Sequence, residues 1–157
     1  MSSNALVRTK PAPPREDVTS SGHPVLLATV DVPFDERAEV FAVDTAVELG
    51  ERLIVASVAE YELLPRAQGS GLARRAAPGM ESALRRPVEL ARSLGVEVEA
   101  LFVQSLHPVK EVLRLTDHYH PGVFVLGPDR RRMSSRRYRR LSDVIRSSVS
   151  ALVWVPE

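Results

Sequence analysis

The chain has 157 residues, 44% of them hydrophobic and 26% charged, the size and balance of one folded domain that can bury a core. It contains no cysteine, so disulfide frameworks, thiolate metal centres and cysteine nucleophiles are excluded. The 21 basic and 20 acidic residues give a formal net charge of +1, a total that argues against a generic nucleic-acid binder.

Residues 1–22 carry Pro11, Pro13 and Pro14 and few apolar side chains. Such a stretch cannot bury enough surface to offset its ordering entropy, so it is expected to be a flexible, disordered tail, with the folded domain over 23–157. No segment approaches the ~20 apolar residues of a membrane span, and no signal-peptide pattern opens the chain. A cytoplasmic protein with no membrane partner is expected.

Val25 to Val30 is a continuous apolar run rich in β-branched residues and predicts a strand covered on both faces. Pro33-Phe34-Asp35 opens a helical pattern that Gly50 stops, with Asp35, Glu36 and Glu39 where the helix dipole favours negative charge. Leu53 to Val58 predicts a second buried strand. Residues 59–77 give no clear period, and Pro65 with the Gly69-Ser70-Gly71 run predicts a long mobile connection. Helical spacing returns over 79–94, where Pro87, lacking an N–H, should kink the helix or start a fresh turn.

Val96 to Val103 predicts a third strand. Pro108 opens a helix that His120-Pro121-Gly122 stops. Val123 to Leu126 predicts a fourth strand ending at Gly127. A basic loop follows, then a short helix around Leu141, Val144 and Ile145, and Ala151 to Val155 as a fifth strand. Strands that alternate with helices imply right-handed crossovers and one open parallel sheet with helices on both faces, an α/β fold of Rossmann-like kind. Ligands in such sheets bind beyond the C-terminal strand ends where the strand order reverses. That directs attention to Asp31–Phe34 and to Gly127 onward.

Over roughly residues 24–156 the chain resembles the universal stress protein family. The resemblance rests on Val30-Asp31 closing the first strand, Leu49-Gly50 closing the first helix, and Ser105-Leu106-His107-Pro108 turning into the third. Gly122 to Gly127 as fourth strand and terminal glycine, and Ser150 to Pro156 as final strand, complete it. It implies a five-stranded parallel sheet in order 3-2-1-4-5 and a non-catalytic binding or regulatory module of stress response. It also implies a homodimer formed by the last strands, here Leu152, Val153, Trp154 and Val155. An apolar strand at a sheet edge has backbone groups that such pairing would satisfy. Asp31, Val58, Leu126 and Gly127 stand at the positions that resemble the family's adenosine side.

ATP-binding members of that family carry a Gly, two residues, a second Gly, nine residues, then Gly-Ser or Gly-Thr. Glycines let the backbone approach phosphates, and the N–H groups and helix N-terminus supply donors and positive potential. Here Gly127 matches the first glycine. Arg130 stands at the second and Arg140-Leu141 at the last pair; aligned from the chain end, Tyr138-Arg139 fall there instead. Both registers lose the later glycines. Two readings follow: the ordinary ATP mode is lost, which the missing close approach favours, or Arg130 and Arg140 hold the phosphates of an adenine nucleotide with their guanidinium forks, in a slow ATPase or a simple binder. Ser142 is a candidate cap for the short helix.

The charge is unevenly placed. From Pro24 to Leu64 nine acids face two arginines, a net of −7, while Arg130 to Arg146 has eight arginines against Asp143, a net of +7. The arginines are either a solvated basic surface or an anion site for a phosphate-containing ligand or an acidic protein. Nucleic acid is disfavoured, because only Tyr138 interleaves them. Ser134 and Ser142 each follow an Arg-Arg-x pattern that basophilic kinases accept. The histidines at 107, 118 and 120 lack a metal-ligand spacing, and no catalytic motif is present.

Overall fold

The computed structural model describes residues 6–8, 22–65, 72–75 and 79–156. The strands of its main sheet are β1 (Leu6–Arg8), β2 (Val25–Val30), β3 (Leu53–Glu60), β6 (Val98–Ser105), β7 (Val123–Leu126) and β8 (Leu152–Trp154). They lie in the order β1-β6-β3-β2-β7-β8. The last five are parallel and reproduce the 3-2-1-4-5 arrangement. β1 adds an antiparallel sixth strand, pairing Leu6–Arg8 with Val103–Leu101. The reading of 1–22 as a tail had no place for this strand; 1–5 and 9–21 lie outside the described residues. β4 (Glu62–Pro65) and β5 (Leu72–Arg75) form an antiparallel pair in the stretch that shows no sequence period, while the glycines at 69 and 71 lie outside the described residues.

The crossovers are α1 (Glu36–Leu49), α2 (Arg85–Ser93), α3 (Pro108–Tyr119) and α4 (Ser135–Ser148). Asp35 caps α1 by accepting from the Arg37 N–H, and Gly50 closes it in the left-handed region at φ 65°, a conformation that costs glycine no steric strain. A 3-10 turn over Ser82–Leu84 leads directly into α2. Pro87 is the third residue of α2, in a first turn whose N–H groups need no intrahelical partner, so it starts a fresh turn and kinks nothing.

β2 shows the layering. Val25 and Leu27 pack under α1 and α2, whereas Leu26, Ala28 and Val30 pack under α3 and α4. The strand is buried at every residue, which is why its sequence is apolar throughout and does not alternate. Among the described residues no helix is long and apolar enough to cross a membrane.

The structure corrects the reading of residues 130–148. The expected basic loop with a short helix near Leu141 is mostly helix: α4 starts at Ser135, and Arg136, Arg137, Arg139 and Arg140 lie on it. Ser134 caps it, its hydroxyl accepting from the Arg137 N–H at 3.3 Å. Ser142 caps nothing; it is a buried mid-helix residue. Arginine-rich sequence hides a helix start because its apolar period is sparse. The inward-facing positions are Tyr138, Leu141, Ser142 and Ile145, a 3–4 spacing begun by an aromatic among arginines.

Candidate functional site

The strand order reverses between β2 and β7, so the crevice beyond their C-terminal ends is where a ligand would sit. Asp31 follows β2 in the left-handed region, at φ 60°. For a non-glycine residue that conformation is strained unless the surroundings hold it. They do so on three sides. Its N–H donates to Val58 O at 2.9 Å, and its Oδ1 accepts from the Glu60 N–H at 2.7 Å. Its Oδ2 is paired with the Arg137 guanidinium. The carboxylate thus ties the ends of β2 and β3 to α4, across the switch point.

The two lips of the crevice are also joined. The Asp35 N–H donates to Gly127 O at 2.8 Å and the Asp129 N–H to Pro33 O at 2.9 Å, around a Phe34–Pro128 bridge. The Gly127 N–H itself is committed to Ala28 O at 2.8 Å. Further along, the Arg131 N–H donates to the Asp129 carboxylate at 3.0 Å and the Arg132 N–H to Asp129 O at 3.0 Å. The Arg132 side chain lies 3.7 Å from the same carboxylate. In a glycine cradle these N–H groups face phosphate. Here the chain's own carbonyls and the Asp129 carboxylate receive them.

Gly127 is explained by packing. A Cβ there would lie 2.8 Å from Leu27 Cδ1, 3.1 Å from Phe34 Cδ1 and 3.3 Å from Ala38 Cβ. The glycine lets α1 approach the sheet closely.

Beside these lips a cleft of about 670 Å³ opens between the start of α1, the start of α2 and the β7–α4 loop. Arg37, Arg130, Arg131 and Arg132 line it, together with Asp35, Glu36, Glu39 and Asp129. Arg86 closes one end. Its guanidinium grips the Glu39 carboxylate by two bonds of 2.7 and 3.0 Å and reaches Glu36 at 3.0 Å. Burial raises the Glu39 carboxyl above its ordinary range, against the opposing effect of the Arg86 hydrogen bond and charge.

The residues singled out in the sequence separate. Asp31, Val58, Leu126 and Gly127 do converge at the strand ends, where Val58 and Leu126 are fully buried. Arg130 lines the cleft but also stacks 4.5 Å over the Tyr138 ring. Tyr138 is buried, with its hydroxyl donating to Pro156 O at 3.1 Å; desolvation raises its pKa. It offers no platform for a base. Arg140 stands apart, on the outer face of α4 with Arg136 and Arg139. Sequence reading missed Asp129, the capping role of Ser134 and the role of Arg137. The acid two residues after a strand-ending glycine was the available sign of Asp129, whereas nothing local marks an arginine that reaches a partner 106 positions away. Among the described residues no three His, Cys, Asp or Glu side chains are grouped to hold a metal.

No protein-family profile matches the chain, and no curated protein matches it. Solved structures do. One universal stress protein in complex with cAMP shares 19% identity over 87% of this chain and 98% of its own, with a TM-score of 0.56. A universal stress protein from Archaeoglobus fulgidus in complex with dAMP shares 15% over 86% and 98%, TM-score 0.57. A universal stress protein family member from Arabidopsis thaliana with AMP bound shares 14% over 84% and 90%, TM-score 0.55. The matches span nearly the whole of those chains, and the fold of this protein is that of the universal stress proteins.

Proposed function

We propose that the protein is a non-catalytic binding and regulatory module of universal-stress-protein type whose ordinary nucleotide seat is occupied by its own side chains. The observation that carries this reading is the Asp129 carboxylate and the Arg137–Asp31 pair. The first takes an anion's place at the Arg131 N–H, and the second spans the crevice on the adenosine side. Nucleotide complexes of the similar structures support an adenine nucleotide as the ligand that such a crevice would take if opened. A second reading is favoured by one feature of the cleft, the row Arg130, Arg131 and Arg132 on one wall. There the phosphates of a nucleotide would rest on guanidinium groups without glycine loops.

Isothermal titration with ATP, AMP and cAMP separates the two. The wild-type chain is expected to bind each with a Kd weaker than about 1 mM, roughly −4 kcal/mol. Arg137→Ala together with Asp129→Ala frees the Asp31 carboxylate and the Arg131 N–H, and is expected to tighten AMP binding at least about tenfold. Micromolar ATP binding by the wild type that is lost in Arg130→Ala would replace the first reading by the second.

The same reading assigns a homodimer to the β8 edge. Leu152 is 72% exposed there, while Trp154 is anchored inward by stacking on Phe41 at 4.2 Å. The Leu152 N–H turns inward to Gly122 O, so by strand alternation the Val153 N–H and C=O face outward, free to pair. Light scattering at micromolar concentration is expected to give twice the chain mass. Val153→Pro removes that outward donor and should give the monomer with an unchanged circular dichroism spectrum. A wild-type monomer mass would sink the dimer.

A further inference from the structure

α4 is built against its own electrostatics. Arg136, Arg137, Arg139 and Arg140 fall in its first six residues, and its first turn contains no acid. The N-terminus of a helix carries partial positive charge, and like charges one turn apart repel. Asp31 answers Arg137. Arg136, Arg139 and Arg140 are exposed and make no ion pair among the described residues. With Asp143 and Val144 they line a shallow hollow on the outer face of the helix. The face has no aromatic side chain, since Tyr138 points inward, so it is suited to carboxylates or phosphates and to no stacked base.

The complementary surface lies on the same chain. The outer stripe of α1 is Val40, Asp44, Val47 and Glu48, all exposed, the valines at 49% and 47%. Asp44 and Glu48 also make no ion pair among the described residues. They stand one helical turn apart, as do Arg136 and Arg140, so the two rows share a rise of about 6 Å. α1 and α4 pack on opposite faces of the sheet. The two stripes therefore cannot meet within one molecule.

We propose that they meet between molecules, the acidic stripe of α1 docking on the arginine face of α4 of a second copy. Asp44 and Glu48 pair with Arg136, Arg139 and Arg140, while Val40 and Val47 shield the pairs from water beside Val144. The chain's net charge of +1 offers little overall repulsion to oppose the approach. Because the donor and acceptor surfaces differ and face opposite ways, the contact is heterologous and runs on as an open row of copies. It is separate from pairing at β8 and from any nucleotide.

Sedimentation velocity on the full chain without nucleotide tests it. At about 100 μM protein, species larger than a dimer are expected at low salt and should vanish near 0.5 M, where the screening length falls to a few ångströms. The double variants Arg139→Glu with Arg140→Glu, and Asp44→Arg with Glu48→Arg, should each lose these species. An equimolar mixture of the two should regain them, since each supplies the charge that the other has inverted. Val153→Pro should keep the salt-sensitive growth. The proposal is overturned if nothing larger than a dimer forms at low salt, if the charge-reversed variants still assemble, or if their mixture does not. Binding of a short DNA duplex or polyglutamate to Arg136, Arg139 and Arg140 in a chain that never self-associates would overturn it in favour of another anionic partner. The charge-reversing substitutions all lie on exposed positions, and an unchanged thermal midpoint confirms that each of those variants is folded.

Discussion

Gly127→Ala is expected to destabilise the protein by about 2 kcal/mol, the usual range for adding a methyl group to a filled interior. In a chain of this length that is a drop of about 4–8 °C in the unfolding midpoint. The new Cβ would meet Leu27 Cδ1, Phe34 Cδ1 and Ala38 Cβ, all within 3.3 Å. Leu27 and Ala38 are fully buried and Phe34 nearly so. The Leu27 methyl is the end of a flexible side chain and can turn aside, but Ala38 is fixed to α1 and cannot. α1 must therefore lift slightly from the sheet. Leu27→Val in the same chain removes the nearest clash and should return part of the loss, which a double-mutant cycle followed by thermal melting would register. If Gly127 were present for phosphate approach alone, Gly127→Ala would melt like the wild type.

Arg86→Ala is expected to cost about 2 kcal/mol, between the values typical of exposed and of buried ion pairs, because Arg86 is about half exposed while Glu39 is buried. The substitution leaves the Glu39 carboxylate buried without its two-pronged partner and unties α1 from α2. Its pH dependence has a definite sign. Burial already raises the Glu39 pKa in the folded protein, and the Arg86 hydrogen bond and charge partly oppose the rise. Without Arg86 the folded-state value climbs further above the unfolded one. A raised carboxyl contributes stability that is complete below the unfolded value and is lost as pH rises through the folded value. The deficit of Arg86→Ala relative to wild type should therefore be largest at neutral pH and shrink on acidification, as Glu39 takes up a proton. Glu39→Gln in the Arg86→Ala chain removes the buried charge and should flatten that dependence. Urea melts at pH 7 and pH 5 measure both effects, and a deficit that grows on acidification would contradict the assignment.

The parallel sheet could be read from the sequence because its central strands β2, β3 and β7 are buried on both faces and so appear as apolar runs, as in Val25–Val30 and Val123–Leu126. The crossover helices declare themselves through Asp35, Gly50 and Pro108, residues whose local chemistry fixes an end. The beginning of α4 was illegible for the converse reason. Ser134 caps it, but the following turns present arginines outward and only Tyr138 inward until Leu141. The β4–β5 pair stands outside the main sheet, and its sequence shows no buried-strand pattern. At the site, the positions after β2 and β7 follow from topology alone, and Asp31 and Gly127 are where that rule puts them. What fills the crevice is a matter of contacts between distant residues: Arg137 with Asp31, Pro33 with Asp129, Arg86 with Glu39. No spacing along the chain records such meetings. The arginine run that resembled a single phosphate-facing loop is divided by the fold, Arg130–Arg132 toward the cleft and Arg136, Arg139 and Arg140 toward the opposite side of the sheet.

The short strand β1 gives the molecule a polarity. Leu6–Arg8 lie along the outer side of β6 and take up hydrogen-bonding groups of Leu101–Val103 there, whereas among the described residues β8 has no neighbour beyond it. The margin at β1 is a strand of three residues, and a very short edge strand offers another chain little to pair with. Two copies joined through β8 would each present only that short strand outward, a poor template for a third copy. The strand Leu6–Arg8 would in this sense blunt growth of the sheet strand by strand, and the longer array proposed above uses helix faces instead.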